Sequence, residues 1–297
     1  MRAVVTGGAG FIGSHVVDAL VERGDEVHVV DNFATGRREN LNAAATVHEH
    51  DIRETLHGRF DEIRPDVVVH LAAQADVGTS VEQPVLDAEV NVLGTLNVLE
   101  AARAHRAQLV FSSTGGAIYG ECDRPAREDD ERRPVSPYGT AKLAAEEYLA
   151  TWNRLHGTKH VVLRFANVYG PRQLAKLEGG VIAIFMGRLR AGEGVTIFGD
   201  GEQTRDFVYV GDVVAAILAA VGQDGGVFNV GTGVETSVNQ LFEACRRVAG
   251  PELQPKYAAA RPGEILRSVL DVSLAERKLG WQPRSSLEEG LRATWES

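Results

Sequence analysis

Cysteine is scarce in this chain of 297 residues, which contains only Cys122 and Cys245. The two are far apart in the sequence and form no CxxC pair, so neither a disulfide framework nor a cysteine metal site is predicted. Histidine offers no helical metal face, because Gly157 lies between His156 and His160. The sequence therefore argues against a metal enzyme.

Long apolar runs and excess positive charge are also missing. No apolar stretch approaches the ~20 residues that a membrane helix needs. The 31 basic and 41 acidic side chains give a formal charge of −10, which disfavours nucleic acid and anionic membranes as general partners. Met1 is followed almost at once by a strand-like run rather than a signal-peptide pattern. We expect a cytoplasmic protein.

Internal repeats and low-complexity linkers are absent as well. The first half instead alternates short β-branched runs with helical stretches, which predicts an α/β fold with a doubly wound parallel sheet of the Rossmann type. After residue 170 the pattern becomes turn-rich, as in a smaller mixed α/β cap. The expected division is a Rossmann domain over 1–170 and 207–235 and a cap over 171–206 and 236–297. The segments FVYV and VFNV are both expected in the main sheet.

The first strand-like run ends in a glycine-rich turn, TGGAGFIG, before a helical stretch. Gly7, Gly10 and Gly13 allow a tight turn, close approach of the backbone to a pyrophosphate, and close packing of the helix. A plain strand-to-helix turn is the alternative. Asp31 ends the next strand 18 residues after Gly13, where a carboxylate would bind the adenosine ribose diol and repel a ribose phosphate. NAD is therefore favoured over NADP.

Three charged residues near this turn have two interpretations each. Arg37 and Arg38 could pair with the extra phosphate of NADP, but we interpret them as solvated loop charges. Asp51, in the segment EHDIRE, is placed to meet the adenine edge of a dinucleotide. A helix N-cap is nearly as good an explanation of Asp51.

A second functional signal is the segment PYGTAK, which opens a predicted helix. Tyr138 and Lys142 are four residues apart and share one helical face, with β-carbons about 5–6 Å apart. An ammonium at that distance favours the phenolate, so Tyr138 is a candidate general base. The alternative is a pair of surface residues at a common spacing.

The ordered motifs of this chain resemble those of the extended short-chain dehydrogenase/reductase family, and more narrowly its nucleotide-sugar epimerases of the UDP-glucose 4-epimerase type. The resemblance covers essentially the whole chain. It rests on TGGAGFIGSH, DNFATG, HLAAQADV, NVLGTLNVLEAA, SSTGGAIYG, SPYGTAK, LRFANVYGPRQ, FGDGEQTRDFVYVGDVV, FNVGTG and RPGE.

This resemblance implies three sets of site residues. The catalytic residues are Tyr138, Lys142 and Thr114, with Ser113 as the alternative hydroxyl because the loop is one residue longer than in many epimerases. The implied NAD-binding residues are Gly7, Gly10, Phe11, Ile12, Gly13, Asp31, Asn32, Gly36, Asp51, Ile52, Leu71, Ala72, Ala73, Asn91, Ser112, Tyr138, Lys142 and Phe165. The implied substrate-binding residues are Thr114, Asn167, Val181, Arg205, Arg261, Glu264 and Ser268.

The implied reaction interconverts UDP-glucose and UDP-galactose through a 4-keto intermediate, with transient hydride transfer to NAD. Tyr138 would take the proton of the hydroxyl on sugar carbon 4. Lys142 would hold the nicotinamide ribose and, together with the positive nicotinamide ring, would keep the pKa of Tyr138 low. Related 4,6-dehydratases carry an Asp-Glu pair where this chain has Gly115-Gly116, so elimination of water is not expected. The two glycines either leave room for the sugar to rotate or form a simple strand-end turn.

Several alternatives remain open from the sequence. Arg205 and Arg261 match diphosphate-binding arginines and Glu264 a ribose-binding acid, but surface salt bridges would use the same residue types. The small Ser268 leaves room for UDP-N-acetylglucosamine, and Lys176 could meet the carboxylate of UDP-glucuronate. Two other classes of function compete with an epimerase. One is a dehydratase, reductase or decarboxylase on the same scaffold, and the other is a non-catalytic dinucleotide-sensing module. The resemblance also implies a homodimer that pairs helices near 85–105 and 137–155.

Overall fold

A computed structural model describes residues 1–175, 180–250, 253–260, 263 and 265–297. Its strands are, in chain order, β1 (Arg2–Thr6), β2 (Glu26–Asp31), β3 (Thr46–Glu49), β4 (Val67–His70), β5 (Gln108–Thr114), β6 (Val161–Phe165), β7 (Asn167–Tyr169), β8 (Thr196–Phe198), β9 (Thr204–Tyr209), β10 (Gly226–Val230), β11 (Glu235–Ser237), β12 (Lys256–Ala258) and β13 (Arg267–Ser268).

The helices alternate with the strands through the first half of the chain. They are α1 (Phe11–Glu22), α2 (His57–Ile63), α3 (Val77–Glu82), α4 (Pro84–Ala88), α5 (Thr95–Ala104), α6 (Gly115–Ile118), α7 (Pro137–His156), α8 (Val181–Arg190), α9 (Val210–Ala220), α10 (Val238–Ala249), α11 (Ser273–Leu279) and α12 (Leu287–Glu296), with a 3₁₀ turn at Arg38–Asn40 and a π-helical turn at Glu89–Gly94.

Within the described ranges, the main sheet has seven parallel strands in the order β10-β6-β5-β4-β1-β2-β3. Its central strands are buried valine-rich runs, as expected of a sheet that helices cover on both faces. The strand order reverses between β1 and β4, which opens a crevice at the carboxyl ends of those strands. The predicted doubly wound Rossmann sheet is confirmed.

A second sheet has the order β11-β9-β13, with β7 paired to β9, and β8 pairs separately with β12. The segment VFNV forms most of β10 and joins the main sheet beside β6, as predicted. The prediction for FVYV was wrong, because Phe207–Tyr209 belong to β9 in the second sheet. The outer edge of β6 is taken by β10, so β9 pairs with β7 and β11 instead.

The two helices that border the crevice differ in regularity. The stretch near 85–105, expected as one helix, is interrupted by the π-helical turn, which contains the buried Asn91. The stretch near 137–155 is one uninterrupted helix, α7. Its first turn is capped by the Ser136 hydroxyl, which accepts from Gly139 N, and it ends at Gly157 in the left-handed region.

Apolar layers lie on both faces of the main sheet, and a third apolar cluster lies between α8 and α10 beside the second sheet. In that third cluster Phe185 and Phe242 meet edge to face with ring centroids 6.0 Å apart. None of the helices within the described ranges is both long and apolar enough to cross a membrane.

Candidate active site

The glycine turn after β1 forms a cradle with no room for side chains. Gly7 has a φ of +71°, and a Cβ on Gly13 would lie 2.0 Å from the Gly7 carbonyl oxygen. Helix α1 begins after Gly10, so no side chain caps the amide groups of its first turn. Open N–H groups at a helix N-terminus beside bare backbone fit a pyrophosphate. Phe11 and Gly13 are buried beneath the cradle, and Ile12 is half-buried.

Asp31 lies at the end of β2, next to this cradle, and only 7% of it is exposed. Its Oδ2 accepts a hydrogen bond from Ala9 N at 2.9 Å, and its Oδ1 accepts one from Phe33 N at 2.8 Å. A Cβ on Gly36 would lie 2.9 Å from Asp31 Oδ1. The two backbone donors fix the carboxylate, and its remaining lone pairs suit a ribose diol.

Asp51 lies farther along the same edge and is tied to a loop rather than to a helix. It accepts hydrogen bonds from Asn32 Nδ2 at 2.9 Å and from Arg53 Nη2 at 2.8 Å. The Arg53 hydrogen bond holds the pKa of Asp51 well below its usual range. Asp51 is not an N-cap, because the next helix, α2, begins only at His57. The buried Ile52 packs where a Cβ on Gly94 would otherwise lie.

Arg37 and Arg38 behave as loop charges. Arg37 Nη1 lies 2.8 Å from Glu39 Oε1, and Arg38 pairs with Glu49. Both arginine side chains are about half exposed or more. Exposed pairs of this kind contribute little to stability, and the interpretation as solvated charges is confirmed.

The end of β4 closes the crevice from the other side. A Cβ on Gly7 would lie 2.7 Å from Ala72 N, so the glycine turn touches the segment of Leu71, Ala72 and Ala73. Ala72 N in turn donates to Thr6 Oγ1 at 3.3 Å. The Ser112 hydroxyl donates to the His70 carbonyl at 3.0 Å. Among the other cofactor candidates, Phe165 ends β6 beside Thr114 of β5.

Helix α7 presents Tyr138 and Lys142 on one face. Lys142 Nζ donates to the Ser112 carbonyl at 3.0 Å and lies 4.8 Å from the centroid of the Phe111 ring. It lies 6.0 Å from the centroid of the Tyr138 ring. The helix therefore brings the tyrosine and the ammonium together at the end of β5, next to the crevice.

Burial governs the protonation of this pair. It lowers the pKa of Lys142 to about 8, against the opposing charges of Asp87 and Glu146. It also raises the pKa of Tyr138, and the charge of Asp87 adds to that increase. In the protein alone, desolvation of the phenolate therefore outweighs the distant ammonium, so the helical spacing of Lys142 does not by itself lower the pKa of Tyr138. A further positive charge is needed to make Tyr138 a base near neutral pH.

The structure separates the two candidate hydroxyls at the end of β5. Successive strand residues face opposite ways, and the Ser113 hydroxyl donates to the buried Glu146 Oε1 at 2.5 Å. The Thr114 hydroxyl has no hydrogen-bond partner in the part of the chain that the structure describes. Thr114 is therefore the hydroxyl available to a ligand.

Gly115 and Gly116 begin the short helix α6 instead of forming a simple turn. A Cβ on Gly115 would lie 2.5 Å from Leu270 Cδ1, so the buried Leu270 side chain would have to shift to admit one. A Cβ on Gly116 would lie 3.4 Å from Asn167 Oδ1. Gly115 and Gly116 thus supply no acidic or basic side chain next to Thr114. The Asn167 amide lies beside Gly116.

The remaining substrate candidates lie in and near the second sheet. Arg205 of β9 stands opposite Ser268 of β13 in the strand register, and Ser268 is buried. Arg205 Nη1 donates to the Thr204 carbonyl at 2.8 Å. Val181 is the first residue of α8. The predicted contacts of Arg261, Glu264 and Lys176 lie outside the described residues.

Sequence reasoning missed a buried ion pair beneath α7. Arg164 Nη2 lies 2.6 Å from Glu146 Oε2, and Arg164 Nη1 donates to the Tyr119 hydroxyl at 2.7 Å. Two signals could have revealed it. Glu146 follows Lys142 by one helical turn, and Arg164 is a charge inside the apolar strand VVLRF, where burial demands a partner.

A buried histidine below the crevice was also missed. The Thr6 hydroxyl lies 2.6 Å from His70 Nδ1, and His70 Nε2 lies 3.0 Å from Thr95 Oγ1. Burial lowers the pKa of His70 to about 3, so the ring is neutral near pH 7. Across the described ranges, no cluster of three or more His, Cys, Asp or Glu residues is arranged to hold a metal ion.

Comparison with known proteins matches residues 3–231 to the NAD dependent epimerase/dehydratase family. The UDP-glucose 4-epimerase of Mycolicibacterium smegmatis is 44% identical over 306 residues, which cover 100% of this chain and 98% of that protein. The crystal structure of Thermotoga maritima UDP-glucose 4-epimerase with UDP-glucose has 50% identity and a TM-score of 0.97, covering 100% of this chain and 98% of that one. The crystal structure of Thermus thermophilus UDP-glucose 4-epimerase in complex with NAD has 46% identity and a TM-score of 0.94, covering 100% of this chain and 98% of that one.

Proposed function

Because the chain belongs to the NAD dependent epimerase/dehydratase family, we propose that it is a UDP-glucose 4-epimerase that interconverts UDP-glucose and UDP-galactose with NAD as resident cofactor. The observation that carries the proposal is that Lys142, which shares a helical face with Tyr138, donates to the Ser112 carbonyl on β5. That strand ends at Thr114 and is followed by Gly115 and Gly116, which supply no acid or base. The similarity to UDP-glucose 4-epimerases over the full chain supports it.

The residues around the crevice fit NAD. The glycine turn would hold the pyrophosphate, the carboxylate of Asp31 the adenosine ribose, and Asn32 with Asp51 the adenine edge. Lys142 would hold the nicotinamide ribose. When bound, NAD supplies the acceptor and donor of the hydride at sugar carbon 4.

The chain's own residues handle the proton. Tyr138 would take the proton of the carbon-4 hydroxyl as the hydride leaves, and would return it when the new centre forms. Burial opposes the phenolate, so the positive charges of Lys142 and of the oxidised cofactor must act together to make it accessible. Thr114, with its hydroxyl free, would hydrogen-bond the oxygen as it changes from alcohol to ketone.

Gly115 and Gly116 favour epimerisation over dehydration. Elimination of water from a keto sugar needs an acid and a base near carbons 5 and 6, and glycine supplies neither. Leu270 fills the space that a side chain on Gly115 would need. The keto sugar would thus be formed and reduced again at the same site, with rotation between the two steps.

The substrate would lie between the Rossmann domain, over 1–170 and 207–235, and the cap, over 171–206 and 236–297. Within these bounds, β7 and Phe207–Tyr209 of β9 are strands of the second sheet rather than of the main sheet. Arg205 and Arg261 would bind the diphosphate, and Glu264 the uridine ribose. The remaining substrate contacts would come from Asn167, Val181, Thr114 and Ser268. A cytoplasmic location would match a nucleotide-sugar substrate.

We propose a homodimer formed by the outer faces of α3, α4 and α7. Val81, Val85 and Leu155 are 62%, 70% and 69% exposed, more than is usual for large apolar side chains gathered on neighbouring helices. Helices α3 and α4 both pack against α7. Light scattering of the purified protein should give twice the chain mass, and V85E combined with L155E should give the mass of one chain.

The test of the proposed reaction is proton NMR of the purified protein with UDP-glucose. We expect the anomeric signal of UDP-galactose to grow until equilibrium, with a product of unchanged mass. Parallel reactions with UDP-N-acetylglucosamine and UDP-glucuronate identify the preferred sugar. A product lighter by one water, or no conversion of UDP-glucose, would contradict the proposal.

A further inference from the structure

Asp87, on α4, is a buried carboxyl group that is only partly hydrogen-bonded. The residue is 1% exposed. Its Oδ1 accepts hydrogen bonds from Gln74 Nε2 and from Asn91 Nδ2, each at 2.9 Å. Its Oδ2 has no hydrogen-bond partner among the residues that the structure describes. An unpaired buried carboxylate oxygen costs free energy, so this arrangement calls for a compensating role.

The two amides that hold Asp87 also hold each other. Asn91 Nδ2 donates to the Gln74 carbonyl at 2.8 Å, and Gln74 N donates to Asn91 Oδ1 at 3.1 Å. Asn91 lies in the π-helical turn, a local irregularity that is frequent at functional sites. The two amides therefore fix the Asp87 carboxyl in one place by binding its Oδ1. Neither amide donates a hydrogen bond to its Oδ2.

Asp87 lies on α4, which packs against α7, the helix that carries Tyr138 and Lys142. Its charge raises the pKa of Tyr138 and opposes the loss of the proton from Lys142. Burial raises the pKa of Asp87, and the hydrogen bonds from Gln74 and Asn91 and the charge of Lys142 oppose that increase. The Asp87 carboxylate and the Lys142 ammonium thus form an electrostatic pair inside the site.

The other charged groups around Lys142 are already neutralised or neutral. Glu146 faces it from α7 but is bound by the Arg164 guanidinium. His70 faces it from β4, and burial keeps the pKa of His70 at about 3. Asp87 is the carboxylate near Lys142 that has no guanidinium partner within the described ranges.

We propose that Asp87 is a positioning residue whose carboxylate keeps Lys142 an ammonium and sets the pH at which Tyr138 ionises. It acts on the reaction through these two side chains. The inference rests on the proposed function for its link to turnover, but the electrostatic coupling exists without turnover. Without the carboxylate, both Tyr138 and Lys142 should lose their protons at lower pH. The two limbs of the pH–rate profile should therefore move in the same direction, towards acid.

The first test is D87N, which removes the charge and keeps a carbonyl oxygen for Gln74 and Asn91. The NAD-loaded protein is labelled with ¹³C at the tyrosine ζ carbon, and Y138F identifies the Tyr138 signal. We expect the titration midpoint of Tyr138 to fall by about 0.5 to 1 pH unit in D87N, as for loss of a nearby charge in a partly buried site. E82Q, which removes an exposed carboxylate from the neighbouring α3, should leave the midpoint unchanged.

A second pair of variants covers the case in which D87N does not fold. D87E and D87Q have side chains of equal length and differ in charge, so D87E should titrate at higher pH than D87Q. A Tyr138 midpoint that is the same in folded D87N and in the parent, or the same in D87E and D87Q, overturns the inference. Failure of UDP-glucose turnover in the parent protein would instead remove the proposed function, since the NMR titration needs no turnover.

Discussion

Glu146 and Arg164 form an ion pair inside the protein, with Glu146 Oε2 and Arg164 Nη2 2.6 Å apart and side-chain exposures of 3% and 1%. The pair joins helix α7 to β6 of the main sheet. Ser113 and Tyr119 bind the same two side chains, from the end of β5 and from the segment after it. The position of the α7 face that carries Tyr138 and Lys142 therefore depends on groups that lie below the proposed site.

Removing one partner of this pair should cost much stability. In E146A the guanidinium of Arg164 stays buried without its counter-charge, a change that typically costs about 3–5 kcal/mol. Denaturant unfolding of the NAD-loaded protein measures this loss. E147A is the matched control, because Glu147 pairs with Arg132 at the surface, where a pair contributes about 0–1 kcal/mol. Equal losses in the two variants would contradict the account.

The neighbouring hydroxyls of β5 should respond differently to removal. T114V should lower kcat by about 10²-fold, because a donor to the reacting oxygen is lost, with little change in unfolding free energy. S113A should retain kcat within a few-fold and lose about 1–3 kcal/mol of stability, because Glu146 loses a hydrogen-bond donor. Turnover of UDP-glucose and denaturant unfolding are measured on both variants. A reversed pattern would make Ser113 the catalytic hydroxyl.

The glycine cradle should not tolerate a methyl group at Gly13. In G13A the new Cβ would lie 2.0 Å from the Gly7 carbonyl oxygen, so the turn must open. We expect at least a tenfold weaker binding of NAD, measured by calorimetry on protein stripped of its cofactor. G58A is the control, because a Cβ on Gly58 meets nothing within 4 Å. Unchanged NAD affinity in G13A would show that the pyrophosphate lies elsewhere.

Stability should fall as the pH drops below about 6.5, because two buried histidines bind protons only in the unfolded chain. Burial lowers the pKa of His70 to about 3 and that of His160 to about 4. The unfolded values are near 6.5, so the unfolded state gains protons first, and each histidine costs about 1.4 kcal/mol per pH unit. His160 contributes to this loss of stability between about pH 6.5 and 4, and His70 extends the loss of stability towards pH 3.

The variant H160Q isolates one of these contributions. The slope of unfolding free energy against pH, between pH 6 and 4.5, should fall by about 1.4 kcal/mol per unit. Gln can still accept the hydrogen bond that Leu109 N donates to His160 Nδ1. H57Q, at an exposed position, should leave the slope as it is. The explanation fails if H160Q and the parent protein have the same slope.

Substrate choice should depend on Ser268. Under the proposed function this buried residue, which lies beside Arg205 in the second sheet, borders the substituent on sugar carbon 2. A tyrosine there would fill the space that an N-acetyl group needs. We expect S268Y to lose at least tenfold in kcat/KM for UDP-N-acetylglucosamine and much less for UDP-glucose. Equal losses of kcat/KM for the two sugars would show that Ser268 does not line the pocket of the carbon-2 substituent.

Local patterns in the sequence were sufficient to predict the Rossmann sheet and much of the site's arrangement. The glycine turn, Asp31 and the Tyr138–Lys142 spacing each depend on one turn of chain, so backbone geometry alone predicts where they lie. The ordered motifs then pointed to the family. Predicting these features requires no knowledge of which residues pack against them.

Features that depend on distant packing were not predicted. The partner of Arg164 comes from another element, and its burial follows from the whole fold. The place of β9 in the second sheet follows from the occupation of β6 by β10. The raised pKa of Tyr138 arises from burial, which a helical spacing cannot reveal. Asp87 was missed for the same reason.

The most direct test of the proposed reaction uses UDP-glucose labelled with deuterium at carbon 4 of the sugar, in ordinary water. If the hydride leaves carbon 4 and returns to the opposite face within one closed site, the UDP-galactose formed should keep its deuterium. Mass spectrometry and NMR of the product measure this retention. Loss of deuterium to the solvent, or no UDP-galactose at all, would contradict the account.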